Sequence, residues 1–261
     1  MIEYKPLLPL SLTSQTWLPA CSISVKHMAT TGRLRWNPIY KEDIDTRVLS
    51  PNFSKLTSII DPLAYLDTEF GQRLNIPKYI INASGDDFFV PDGTLHYADK
   101  LPGETTIRVA PNSDHRGISN FAVQSLSTFV NRIQANKLLP RIVSNVSAQT
   151  LNVKFSEVPR SVRQWTAHNP VSRDFRYACG IRYIERSLGP SLKTSITLGA
   201  PKTGWDATFI EAVFDDRYVA TSQVYITPDI YIRPWLCNGH SMQNNSWSRS
   251  GSLAIPINSR S

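Results

Sequence analysis

Cysteine is scarce in this 261-residue chain, which has only Cys21, Cys179 and Cys237. The three show no metal-type spacing, and an odd count leaves at least one without an intramolecular partner. No apolar run approaches the roughly 20 residues of a membrane-spanning helix, so no transmembrane segment is expected. Long runs of one charge are also missing. The net charge of +7 comes from Lys and Arg scattered along the chain, and without a basic cluster nucleic acid is not an expected partner. The stretch Leu18-Pro19-Ala20-Cys21 faintly resembles a lipoprotein cleavage site, but Glu3 offsets Lys5, Pro9 interrupts the short apolar stretch, and Pro19 stands where a small residue belongs. Those mismatches argue against a signal peptide.

What is present is an ordinary globular composition, 41% apolar and 19% charged, with length for one large domain or two smaller ones. Residues 1–35 carry no sustained period and read as irregular. From Pro51 the spacing of Phe53, Leu56, Ile59 and Ile60 predicts a short amphipathic helix that Pro62 must end. Tyr79 to Asn82 and Thr105 to Ala110 read as buried strands, with helical spacing between them over Val90 to Lys100. Such a strand, helix, strand unit predicts parallel pairing. The positions Ile118, Phe121, Ala122, Leu126, Phe129, Val130 and Ile133 then define one face of a longer helix.

After Pro140 the period shifts from near 3.6 to 2, which predicts a domain boundary there. Runs at Leu151 to Phe155, Ser161 to Ala167, Phe175 to Tyr183, Thr194 to Leu198, Ala207 to Val213 and Ala220 to Ile226 recur at the spacing of a small antiparallel β-sandwich. The expected organisation is an irregular segment (1–35), a partial α/β domain (36–140), a sandwich-like domain (141–230) and a loosely ordered Ser-, Asn- and Arg-rich tail (231–261).

The chemistry-bearing residues stand at the ends of the two buried strands. Ser84-Gly85-Asp86-Asp87 follows the first, and Pro111-Asn112-Ser113-Asp114-His115 follows the second. In open α/β sheets ligands gather at the carboxyl ends of the strands, so a shared site is expected. A carboxylate accepting the Nδ1 proton of His115 would fix its tautomer and leave Nε2 as general base. The plainer alternative is a polar turn capping the next helix, with His115 a solvated loop residue. Either Asp alone would favour that alternative, whereas both strands delivering both residues favour a site. A nucleophile is missing. The sequence holds no Gly-x-Ser-x-Gly, and Gly117-Ile118-Ser119, Gly239-His240-Ser241 and Gly251-Ser252 all follow the acid in chain order, contrary to the α/β-hydrolase order of nucleophile, acid, base.

The other histidines, His27, His96, His168 and His240, show no ligand spacing, so neither a metal nor a cofactor is expected. Trp165, Trp205, Phe175 and Phe209 alternate with polar residues and read as core. Arg173-Asp174-Phe175-Arg176 has the composition of an internal ion pair or of a partner contact, and the structural reading is preferred. Asn52, Asn82, Asn145 and Asn244 begin Asn-x-Ser sequons, of which Asn82 falls on a buried strand.

At Asp61-Pro62-Leu63-Ala64-Tyr65, then continuously from Ile76 to Asp92, the chain resembles the PhoPQ-activated pathogenicity-related proteins. The resemblance continues at Asp99 to Glu104, Pro111 to His115, Trp165-Thr166-Ala167, Arg173 to Arg176 and Gly204 to Phe209, covering residues 36 to about 230. This family, which also looks related to the autocrine proliferation repressors of amoebae, implies an α/β-hydrolase-like fold followed by a β-sandwich-like region. It also implies export and an association with virulence. It places the triad acid at Asp86 rather than Asp87 and the base at His115.

Family members carry their Gly-x-Ser turn and most of the parallel sheet ahead of the matching region. Residues 1–35 stand where those strands would be, which leads us to expect an N-terminally shortened chain with exposed sheet edges. The implied function is that of a hydrolase fragment or pseudoenzyme, inactive alone, whose substrate would be a small ester, amide or peptide if a protein partner completed it. The alternative is a secreted binding or signalling protein acting through its sandwich without catalysis.

Overall fold

We describe a computed structural model of the protein over residues 50–86 and 89–230; the expectations for residues 1–35 and 231–261, and the position of Asp87, lie outside the described residues. The first helix, α1 (Pro51–Ile60), starts where Ser50 Oγ accepts the Phe53 amide at 3.2 Å and Pro51 supplies a first-turn φ. It stops at Asp61, as Pro62 requires, and Asp61 Oδ1 accepts the Leu63 amide at 3.0 Å to open a 3-10 turn. Its expected apolar face is not fully covered: Leu56 and Ile59 are exposed.

Strands β1 (Lys78–Ala83) and β2 (Thr105–Ala110) form a two-stranded parallel sheet, with Ile80 opposite Ile107 and Ala83 opposite Ala110. That pair is the parallel element among the described residues, so a larger hydrolase-like sheet is not part of the described fold. Among the described residues of the connection between the strands there is no α-helix. The connection holds two 3-10 turns, Gly93–His96 and Ala98–Lys100, because the residues that pack inward onto Ile80 are Tyr97, Ala98 and the partly buried Leu101. Leu95, taken from its spacing as inward, is exposed.

Helix α2 (Ser119–Gln134) follows β2, and its inward face is more polar than its spacing suggested. Phe129 and Ile133 pack on the core, but the fully buried residues are Ser125 and Arg132. Ser125 Oγ accepts from Arg108 Nη1 of β2 at 2.5 Å and donates to the Phe121 carbonyl. Arg132 reaches Glu157 at 2.6 Å and Asp216 at 2.7 Å, linking α2 to two loops of the antiparallel region.

That region contains β3 (Ile142–Ser147), β4 (Thr150–Phe155), β5 (Ser161–Asn169), β6 (Ile184–Ser187), β7 (Lys193–Thr197), β8 (Trp205–Val213), β9 (Val219–Thr221) and β10 (Tyr225–Thr227). One sheet has the order β3-β4-β7, the other β10-β8-β5-β6 with β9 also on β8. Both contribute to a single apolar cluster, through Leu151, Val153 and Ile196 from one and Val162, Ile210 and Ala212 from the other. Tyr79, Ile81, Ile118 and Leu139 belong to the same cluster.

The stretch Phe175 to Tyr183, expected as a strand, is instead an open connector with a 3-10 turn at Tyr177–Cys179 and Gly180 at φ +76°. Its aromatic ends bury as anchors, Phe175 and Tyr183 joining Val109, Ala167 and Phe209 in a second apolar cluster. The fold is therefore mixed α/β, with antiparallel sheets dominating and few helices. No helix among the described residues is long and apolar enough to cross a membrane.

Candidate functional site

The parallel pairing brings the ends of β1 and β2 side by side, and the two loops that leave them are tied together. The Ser84 amide continues the ladder to the Ala110 carbonyl at 3.0 Å, and the Gly85 amide reaches the Ser113 carbonyl at 2.9 Å. Ser84 Oγ accepts the Asn112 amide at 2.9 Å. Asn112 sits at φ +51°, a conformation that asparagine tolerates better than most residues. Asp114 Oδ1 then accepts the Gly117 amide at 2.6 Å and turns the chain toward α2.

These turns set Asp86 and His115 against each other. His115 Nδ1 lies 3.1 Å from Asp86 Oδ2 and 3.2 Å from Oδ1. The Asp86 side chain is only 3% exposed and that of His115 is 22% exposed, so the carboxylate is enclosed while the imidazole reaches the surface. An ionised carboxylate can only accept, so with Asp86 in that form the proton of this bond would belong to Nδ1. Asp86 Oδ1 also accepts the Phe89 amide at 3.1 Å. The same carboxylate thus holds both the turn at Phe89 and the histidine, but the helix cap that the plainer alternative called for is not seen, since the next turn, Gly93–His96, has no side-chain cap. The Phe89 ring stands 6.0 Å from the His115 ring, tilted by 45°.

Further contacts to these loops come from the β5–β6 connector, residues 170–183. The Tyr177 amide donates to the Gly85 carbonyl at 2.9 Å, and a side chain at Gly85 would have its Cβ 2.6 Å from that same Tyr177 nitrogen. The Asn112 side chain accepts the Tyr183 amide at 2.7 Å and donates to the Tyr183 carbonyl at 2.9 Å. Asp92, past the acid, pairs with Arg173 at 2.7 Å, and both are buried. Burial pushes the Tyr183 phenol well above its ordinary value, and the Asp92 charge adds to the rise. Arg176 and Asp174 form a close pair at 2.6 Å, so the Arg-Asp-Phe-Arg stretch supplies internal ion pairs, as its composition suggested.

Elsewhere among the described residues stands another histidine and carboxylate pair that no sequence pattern announced. His168 and Asp206 are register partners on β5 and β8, and their Nδ1 and Oδ1 are 2.7 Å apart. Sequence separation hides such a pair until strand register is known. Phe175, Trp205 and Phe209 are buried and Trp165 stacks on Phe209, which agrees with the core role read from their alternation. No group of three or more His, Cys, Asp or Glu among the described residues could hold a metal ion.

The stretch containing both Asp86 and His115 matches the family model of PhoPQ-activated pathogenicity-related proteins, over residues 31–176. The chain belongs to this family. It is also similar to autocrine proliferation repressor protein A of Dictyostelium discoideum, with 30% identity over 69% of the chain and 42% of that protein. The chain thus spans less than half the length of this curated relative. Among solved structures, pectate lyase Pel3 of Pectobacterium carotovorum is 15% identical over 35% of this chain and 27% of that one, with a TM-score of 0.21. OgpA of Akkermansia muciniphila is 11% identical over 68% of this chain and 52% of its own, also with a TM-score of 0.21. At such scores neither likeness bears on fold or chemistry. Within the PhoPQ-activated pathogenicity-related match fall Asp86, His115, Asn112, Asp92 and Arg173, whereas Tyr177 and Tyr183 lie past its end.

Proposed function

We propose that this chain carries the acid and base of a serine-hydrolase-like triad, Asp86 orienting His115, and that it turns over no ester, amide or peptide alone. The observation behind this reading is the enclosed carboxylate bonded to Nδ1 of a partly exposed imidazole, at the ends of adjacent parallel strands. In a triad the carboxylate holds the tautomer and stabilises the imidazolium that forms when Nε2 takes the nucleophile's proton. The reading treats β1 and β2 as part of an α/β-hydrolase-like sheet. Because the sequence contains no Gly-x-Ser-x-Gly, the nucleophile is assigned to a protein partner. The test is ester turnover by the purified full chain and by His115→Ala. No turnover by either is expected, and robust turnover abolished by the substitution would overturn the claim of inactivity.

A second reading rests on the similarity to a protein named as an autocrine proliferation repressor. It assigns this chain a secreted signalling role exerted through the antiparallel sheets, with the Asp86 and His115 pair serving only structure. Adding purified full chain to growing cells of its source organism tests it. The reading requires growth repression of equal strength from wild type and His115→Ala, and loss of repression in the variant would count against it.

A further inference from the structure

The loops that carry Asp86 and His115 are both held by one distant segment. The connector from Pro170 to Tyr183 meets the acid loop at Gly85, directly before Asp86, and the base loop at Asn112, three residues before His115. The connector is itself well anchored. Phe175 and Tyr183 are buried with Val109 at the end of β2, Asn169 Nδ2 donates to the Asp174 carbonyl at 2.6 Å, and Arg173 pairs with Asp92.

The two attachments differ in kind. At Gly85 the link is a backbone hydrogen bond, whereas at Asn112 it is a side-chain amide that donates and accepts with the backbone of one residue, Tyr183. A primary amide can do this because it presents a donor and an acceptor side by side, like one rung of an antiparallel ladder. Asn112 is also bonded through its own amide to Ser84 Oγ, in the acid loop. One residue therefore joins the connector, the acid loop and the base loop.

We propose that Asn112 is a positioning residue for the Asp86 and His115 pair, transmitting to His115 the location of the β5–β6 connector. The role rests on the reading of that pair as a working acid and base. It makes the antiparallel region part of the site without contributing a group to the chemistry. Any partner that displaces residues 170–183 would then loosen the pair from a distance.

The experiment uses the ring nitrogens of His115 in the 15N-labelled full chain, whose chemical shifts report tautomer and Nδ1 hydrogen bonding. Wild type should show an Nδ1–H tautomer with a downfield ring proton, and Asp86→Asn should remove that proton signal. Asn112→Gly tolerates the positive φ while deleting the side-chain amide. It should lose the downfield proton while the backbone amide spectrum stays dispersed. Asn112→Asp keeps the acceptor for the Tyr183 amide but turns an oxygen toward the Tyr183 carbonyl, and should shift the His115 ring signals part of the way.

Unchanged His115 ring signals in Asn112→Gly would overturn the positioning role while leaving the pair intact. If that variant fails to fold, unchanged ring signals in Asn112→Asp beside a displaced Tyr183 amide would overturn it equally. Absence of the Nδ1–H tautomer in wild type would sink the acid and base reading first, and the positioning role with it.

Discussion

The Gly85 carbonyl accepts the Tyr177 amide at 2.9 Å across an approach so close that a Cβ at residue 85 would sit 2.6 Å from the Tyr177 nitrogen. The obstructing atom is backbone, so it cannot swing aside as a side chain would. Gly85→Ala should destabilise by about 1–3 kcal/mol, the usual cost of overpacking, and urea unfolding will measure it. A change within error would show that the acid loop and the connector can separate freely.

Arg132 is buried and bonded to both Glu157 and Asp216, and its guanidinium stands over the Phe214 and Tyr218 rings. Removing the guanidinium leaves Glu157 and Asp216 with Lys137, 3.7 and 3.6 Å away, and with water on their exposed sides, so the main loss is of its hydrogen bonds and its packing. Arg132→Ala should cost about 1–3 kcal/mol, read as a lowered denaturant midpoint. A loss below about 1 kcal/mol would place this cluster with ordinary surface ion pairs.

Burial raises the Glu211 carboxyl above its ordinary value, against the opposing charges of Arg163 and Arg108. Between the unfolded and folded values the folded state binds the extra proton, so stability should fall as pH rises through that window. Glu211→Gln should flatten this part of the stability profile, measured by thermal unfolding across pH. An unaltered slope would exclude Glu211 as its source.

Asp216 moves in the other direction. Burial opposes its charge, but the Arg132 hydrogen bond, the Tyr218 amide and the charges of Arg132 and Lys137 together hold the carboxyl below its ordinary value. Its contribution is complete above the unfolded value and is lost as pH falls through the folded one. Asp216→Asn should therefore destabilise at neutral pH and make acid unfolding less steep. Parallel acid limbs in wild type and variant would contradict this.

Some elements could be read directly because local pattern and tertiary environment agree. β2 occupies the expected Thr105 to Ala110, and α2 follows His115 with Phe129 and Ile133 turned inward. Pattern misled where apolar residues serve as anchors of irregular backbone. Phe175 and Tyr183 have the spacing of a strand, but they fix the two ends of a connector that turns at Gly180. Likewise Tyr97 and Ala98, rather than Leu95, fill the space beside Ile80, and that choice depends on the sheet lying above them.

The sequence by itself determined the family and the two strands and put Asp86 and His115 just past their ends, because each strand and the residues that follow it form one short contiguous run. The tertiary structure alone decided that Asp86 meets His115 Nδ1 while also accepting the Phe89 amide. It alone attached that pair to residues 170–183, since bonds from Asn112 to Tyr183 and from Asp92 to Arg173 join positions about 70 to 80 apart in the chain. No local pattern records such distances. Strand register and packing of Phe175 and Tyr183 bring them together.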